Sequence, residues 1–209
     1  MKIHDISLTI SEDMAVYKDK QEKKPKIDIT RTMDEGSNES KFHMESHTGT
    51  HADAPYHMLD SGKKLDKLEL EPFIGNCIVL DLTNSKDSIK KEDLEDKKTL
   101  IEKGDIVLLK TKNKSENKFD FNFTYLDKSS AEYISKLEIK SVGIDNLGIE
   151  RAQPEHETHI ILFKKGIQII EGLDLSKIKQ GRYFFIGLPL KIKDGDGSPI
   201  RAVLIEDFS

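Results

Sequence analysis

"HTGTHADAPYH", residues 47–57, lies within a seventeen-residue run, 43–59, that holds four of the chain's seven histidines and an aspartate. His47, His51, Asp53 and His57 all carry odd numbers, so an unbroken strand would put them on one face. At ~3.3 Å per residue, His47 and His51 would then stand ~13 Å apart, too far to share one ion. The segment is therefore expected to bend. Gly49 supplies a permissive backbone, Thr50 a local hydrogen bond, and Pro55 steers Ala54 away from ordinary helix. A bent "HTGTHAD" gathers two imidazoles and a carboxylate. That donor set suits zinc, manganese or iron, and no thiol in the cluster favours a soft structural site. His57 has the chemistry of a proton carrier near neutral pH, and equally that of a fourth ligand. The plain alternative is four unrelated polar residues on a bent loop.

Working outward, the 209 residues are enough for one well-buried core, and 1–209 is expected to be a single domain. Charged residues reach 34% against 36% apolar, with a net of only -5, which describes a mixed-charge surface. Recurrent apolar runs such as "CIVLDL" (77–82), "DIVLLK" (105–110) and "HIILF" (159–163) argue against disorder. No stretch approaches the ~20 apolar residues of a membrane span. "MKIHDISLTI" turns polar too early for a secretory signal, and the acidic balance leaves no nucleic-acid footprint. The single cysteine, Cys77, has no intramolecular partner and is expected to pack as a small buried hydrophobe. Together these lead to the expectation of a cytoplasmic protein that acts on neither membrane nor nucleic acid.

Strands are expected at 3–10, 42–47, 77–82, 105–111, 141–145, 167–171, 181–190 and 201–208. The charged stretch 12–38 reads as irregular, anchored by Met14, Val16 and Tyr17, and 111–127 reads as an exposed loop. A charged helix or turn region is expected at 90–105. A helix fits 126–139, capped by Asp127 or Ser129, with Ala131, Ile134 and Leu137 as its buried stripe. A second helix fits 154–165: Pro154 suits the first turn, Glu155 and Glu157 the positive end, Lys164 and Lys165 the other, and Gly166 the stop. "KIKDGDGSP" (191–199) reads as a hairpin or tight loop. Many strands with few helices make a sheet-rich α/β domain. In this half of the chain His159 and Glu171 are the best further ligand candidates, because Glu171 ends an apolar strand and is costly to bury alone; His156 rivals His159.

The segment 47–57 fits the pattern His-x-Gly-Thr-His-x-Asp-x-Pro-x-His at all seven named positions. In this it resembles the cyclase-like metal-dependent hydrolases that include bacterial kynurenine formamidase and isatin hydrolase. The likeness extends through "IHDISLTI" (3–10), "FHMES" (42–46), "SVGIDNLGIE" (141–150), "HIILFKKGIQIIEGLDL" (159–175) and "FFIGLPLKIKDGDGSPIRAVLI" (184–205). It implies a swivelling β/β/α-like α/β fold, assembled as a homodimer or homotetramer. It also implies one or two divalent ions, zinc first and manganese second. His47, His51 and Asp53 would bind the first ion, Asp53 would bridge to a second completed by His159 and Glu171, and His57 would be the catalytic proton shuttle. The implied reaction is hydrolysis of an amide-type C–N bond, an aryl formamide such as N-formylkynurenine, by hydroxide generated on the ion. Opening of a cyclic amide or lactone is the alternative within enzymes, and a closed, structural metal site the alternative outside them. Two segments depart from the family's pattern. Its aromatic-Pro-Gly segment reads Tyr17-Lys18-Asp19 here, and its Ser-x-Asp reads Gly148-Ile149-Glu150. With no Trp in the chain, Tyr17, Phe42 and Tyr56 are the residues to stack on an aryl substrate.

Overall fold

The computed structural model describes residues 1–113 and 118–206. The chain builds β1 (Lys2–Asp5), β2 (Lys26–Arg31), β3 (Glu39–His43), β4 (His51–Asp53), β5 (Ile74–Asp81), β6 (Ser88–Ile89) and α1 (Lys91–Glu95). There follow β7 (Ile106–Lys110), β8 (Tyr125–Leu126), α2 (Lys128–Ile134), β9 (Ser141–Ile144) and α3 (Glu157–Lys164). It closes with β10 (Gln168–Glu171), β11 (Gly181–Ile186), β12 (Gly197–Pro199) and β13 (Val203–Glu206). Nine strands form one sheet in the order β1-β13-β11-β5-β7-β9-β10-β4-β12. Its centre, β5-β7-β9-β10, is parallel and both flanks are antiparallel. This is the sheet-rich α/β class expected from the sequence.

The central strands are continuous apolar runs because both of their faces are buried. Ile78 and Leu80 of β5, Val107 and Leu109 of β7, and Val142 and Ile144 of β9 pack on one face with Ala131 and Ile134 of α2 and Leu162 of α3. The alternate positions, Cys77, Val79, Ile106 and Leu108, pack on the other with Ile6, Phe73, Leu173 and Phe185. Cys77 is fully buried there, which pushes its thiol pKa well up. Asp127 wins the cap of α2: its side chain accepts from the Ser130 N–H, while the Ser129 hydroxyl donates to Asp127.

Several elements differ from expectation. Within the stretch read as irregular, β2 pairs antiparallel with β3 in a separate two-stranded sheet, so the second expected strand ends at His43 and not at His47. β2 carries Ile27 and Ile29 at the two-residue spacing of a strand, but within a charged stretch and with both side chains exposed, and what forms it is pairing with β3. "GSP" is a strand, β12, although it holds Gly and Pro; it lies at the sheet's edge, where a missing N–H is tolerated. α3 begins at Glu157, because Glu155 (φ 54°) and His156 (φ 52°) are left-handed. The helix expected over 126–139 is limited to α2, and the expected helix or turn region begins with α1. Part of the expected loop 111–127 and the end of the strand 201–208 lie outside the described residues.

Candidate metal centre

The expected bend is present. Gly49 takes φ +63°, and the main chain turns through 47–50 before β4 begins. The turn is pinned from two sides: the Thr50 hydroxyl donates to the Gly172 carbonyl and accepts from Leu8 N–H at 2.8 Å. Gly172, itself at φ +70°, must lack a side chain, since a Cβ there would lie 2.2 Å from the Gly49 oxygen. Two glycines thus let the histidine turn seat against the end of β10.

β4 then uses the two-residue period of a strand. Ala52 enters the core on one face, and His51 and Asp53 share the other. In the register with β10, His51 stands opposite Glu171 and Asp53 opposite Ile169, so the carboxylate of Glu171 joins the same face. α3 adds His159 from above. Its Nε2 lies 3.4 Å from both Asp53 Oδ2 and Glu171 Oε1, and His51 Nε2 lies 3.3 Å from Asp53 Oδ1 and 3.4 Å from Glu171 Oε2. His51, Asp53, His159 and Glu171 are each at most 5% exposed. His47, at the bend, brings Nδ1 to 2.8 Å from Asp53 Oδ1.

Among the described residues, three groups have ligand atoms all within 4.8 Å of one another: His47, His51 and Asp53; Asp53, His159 and Glu171; and His47, His57 and Asp196. The first two share Asp53. All five residues expected to ligate therefore converge. Of the rivals, His156 stands outside these groups, its Nδ1 2.5 Å from Glu150, and His43 is exposed on β3 beside Asp28. The His57 ring lies against His47, centroids 3.9 Å apart and planes tilted by 36°, and sits 6.1 Å from the His159 ring.

The site is electrostatically unusual. Burial alone would raise the carboxyls of Asp53 and Glu171, but hydrogen bonds from His159 and the other facing imidazoles overcome it. They hold Asp53 well below its ordinary range and Glu171 down at about 2. Conversely, burial would lower His51 and His159, yet the same carboxylates hold His51 up at about 10 and His159 well above its usual value. Burial lowers His57, so it is a neutral imidazole at pH 7. Two dry carboxylates demand positive charge, and buried Asp53 Oδ2 has His159 Nε2 at 3.4 Å, a long contact to stand in for lost hydration. A divalent cation meets both demands with this nitrogen and oxygen donor set. The outer nitrogens fit as well. His51 Nδ1 donates to the Gly49 carbonyl at 2.9 Å, fixing the tautomer that turns Nε2 inward, and His159 Nδ1 lies 3.1 Å from Glu150 Oε2.

A cavity of about 230 Å³ opens onto these groups. Its wall includes Val16, Tyr17, Met58 and Leu147, with Lys23 and Glu45 paired at 2.7 Å on the same lining. Of the three candidate stacking aromatics, Tyr17 lines it; Phe42, on β3, is 60% exposed. Lys18 and Asp19, where the family pattern has Pro-Gly, both adopt left-handed backbone at φ 60° and 50°. Glu150 and Asp196 belong to the site without having been singled out as site residues. Glu150 follows the Gly-Ile-Asp segment, and Asp196 sits in the Gly-rich "DGDGSP", so position near a motif was the available signal.

A mixed α/β fold with buried histidine and carboxylate groups of this kind is that of a metal-dependent hydrolase. The chain belongs to the cyclase family, whose model, "Putative cyclase", matches residues 4–151. It is 33% identical over 202 residues to a kynurenine formamidase of Bacillus thuringiensis, covering 96% of this chain and 95% of that protein. A solved structure from Bacillus stearothermophilus, titled a predicted metal-dependent hydrolase, matches at 43% identity and a TM-score of 0.87, covering 97% of each chain. Isatin hydrolase A of Labrenzia aggregata shares the fold at 22% identity and a TM-score of 0.85, over 97% of this chain and 93% of that one. No helix among the described residues is long and apolar enough to cross a membrane.

Proposed function

We propose that the protein hydrolyses an amide-type C–N bond of a small aryl amide, with an aryl formamide such as N-formylkynurenine as the first substrate to try. The observation that carries this reading is the sharing of buried Asp53 between two ligand groups, with a neutral His57 beside them. His47, His51 and Asp53 would hold one divalent ion, and Asp53, His159 and Glu171 a second, with zinc the first candidate and manganese next. Such ions lower the pKa of water and polarise a carbonyl oxygen. The rest falls to the chain. Tyr17, Met58 and Leu147 offer an apolar wall for an aryl ring. His57 takes a proton and delivers it to the departing nitrogen, a step the bond needs because an amide anion leaves poorly. The 33% identity to a kynurenine formamidase supports the substrate class.

We read residues 1–209 as one domain acting in the cytoplasm as a homodimer or homotetramer. Support for assembly comes from the β2–β3 hairpin, which leaves Ile29 77% and Phe42 60% exposed. The test is metal analysis of the purified protein together with turnover of aryl formamides, isatin and simple lactones. Metal-dependent release of formate is expected. Bound metal with no turnover across that panel would sink the hydrolase reading, and opening of isatin alone would move it to cyclic amides.

A further inference from the structure

We propose that Asp196 is a positioning residue serving two imidazoles at once: it fixes the tautomer of His47 for metal binding and orients His57 for proton transfer. The inference rests on the metal-hydrolase reading above. His51 backs its outer nitrogen onto the Gly49 carbonyl, and His159 brings its own to 3.1 Å from a Glu150 oxygen. His47 is the third imidazole of the set. Its Nδ1 faces Asp53 Oδ1 at 2.8 Å, inside the site, and its Nε2 lies 3.2 Å from Asp196 Oδ2. When Nε2–H donates to that carboxylate, the lone pair stands on Nδ1, the nitrogen turned toward Asp53 and His51. Ligating histidines commonly rely on an outer acceptor of this kind.

The carboxylate is built into place. Asp196 Oδ1 accepts from the Ser46 hydroxyl at 2.9 Å, and its main-chain oxygen accepts from the Ala54 N–H at 2.9 Å. The next residue must be glycine for His47 to sit there, because a Cβ on Gly197 would lie 2.6 Å from His47 Cε1. The same Oδ2 is 3.9 Å from His57 Nδ1, and the two rings lie in contact, tilted by 36°. A negative oxygen on that side favours the tautomer with its proton on Nδ1. That leaves Nε2 of His57 as the nitrogen that takes and gives a proton. One carboxylate thereby couples a ligand to the shuttle.

The test uses Asp196→Ala and Asp196→Asn in the full chain. Zinc and manganese affinity are measured by chelator competition, and kcat and KM on an aryl formamide at saturating metal. Asp196→Ala is expected to weaken metal binding about 10- to 100-fold, with Asn weakening it less because its amide oxygen still accepts from Nε2–H. In both, kcat falls while KM holds. A His57→Ala background separates the two roles: there the loss of metal affinity on Asp196→Ala persists, and its further loss of kcat disappears. Should Asp196→Ala fail to fold, Ser46→Ala unseats the carboxylate more gently and is expected to weaken metal in the same direction. Metal affinity indistinguishable from wild type in the folded variants overturns the proposal while the hydrolase reading stands. A wild-type protein that takes up no metal removes both.

Discussion

Two groups of three residues lie back to back across the contact between His47 and Asp53. The inner one, Asp53, His159 and Glu171, is nearly dry. In the outer one, His47, His57 and Asp196, the side chains are 20%, 28% and 45% exposed. The residue types are the same, imidazole and carboxylate, but water access differs, and with it the chemistry each can do. Inside, two carboxylates have lost their solvation and are held ionised by the imidazoles against them, an arrangement a cation satisfies. Outside, an imidazole that burial keeps neutral can exchange protons with a substrate and with solvent. On the proposed roles, the shuttle His57 is the most exposed of the site's imidazoles, the buried ligands are the driest, and His47 at 20% stands between them.

The sharpest way to break that division is at the residue both ligand groups use. Asp53→Ala is expected to empty the site of metal and lower turnover by about 10³-fold or more, the scale of lost charge stabilisation at a reacting carbonyl. Metal content at the wild-type level, measured by plasma mass spectrometry, would refute the shared role. Glu171→Gln is the companion: it should release only the ion of its own group. On the outer side, His57→Gln should keep metal and lower kcat about 10²- to 10⁴-fold, the range of a lost general acid–base. Loss of metal in that variant would move His57 from the shuttle to the ligands. A smaller effect is expected where the outer group leans on backbone. Gly197→Ala drives a methyl against His47 and should cost about 1–3 kcal/mol in urea unfolding, with weaker metal binding.

The same division explains what could be read in the one-dimensional sequence. The central strands were legible because strands buried on both faces are runs of Val, Ile and Leu, as in 77–82 and 105–110, although their parallel pairing was not. The bend at Gly49 followed from the reach of a strand, since His47 and His51 cannot meet along extended chain. β4 itself was not legible. "HAD" has no strand propensity, and its three residues form a strand only because β10 and β12 lie on either side. His159 and Glu171 stood out as buried polar candidates, but only the family likeness assigned them to the second ion. Asp196 was hidden for a different reason. It lies in a Gly-rich segment that reads as a turn, and its partners are 149 and 150 positions away in the chain, His47 and Ser46. β2 was missed although Ile27 and Ile29 alternate with polar residues, because two apolar positions in the charged stretch 12–38 are a short signal and neither enters the core.

A third buried carboxylate supplies the control for the inner group. Asp145 is 3% exposed, comparable to Asp53 and Glu171, yet its neighbours are Thr111, whose N–H and hydroxyl donate at 2.8 and 2.7 Å, and no imidazole. Burial wins there and pushes its carboxyl up from 3.8 to about 6, the opposite direction from Asp53 and Glu171. Equal burial with opposite shifts points to the imidazoles as the difference, since neither Thr111 nor the Lys110 charge reverses the effect of burial on Asp145. The consequence for stability has a definite sign. A carboxyl whose folded pKa is raised binds its proton more tightly in the native state, so its contribution is full below about pH 4 and is lost as pH rises through about 6. The size of that loss is on the order of 2–3 kcal/mol. Asp145→Asn cannot ionise, and its amide oxygen can still accept one of the two bonds from Thr111. Urea unfolding of both proteins at pH 4.5 and pH 7 (conditions on either side of the shifted value, about 6) should therefore show wild type losing stability relative to the variant as pH rises. If the two proteins run parallel, hydrogen bonds from Thr111 alone are enough to keep a buried carboxylate ionised, and the imidazoles around Asp53 and Glu171 lose their special electrostatic role.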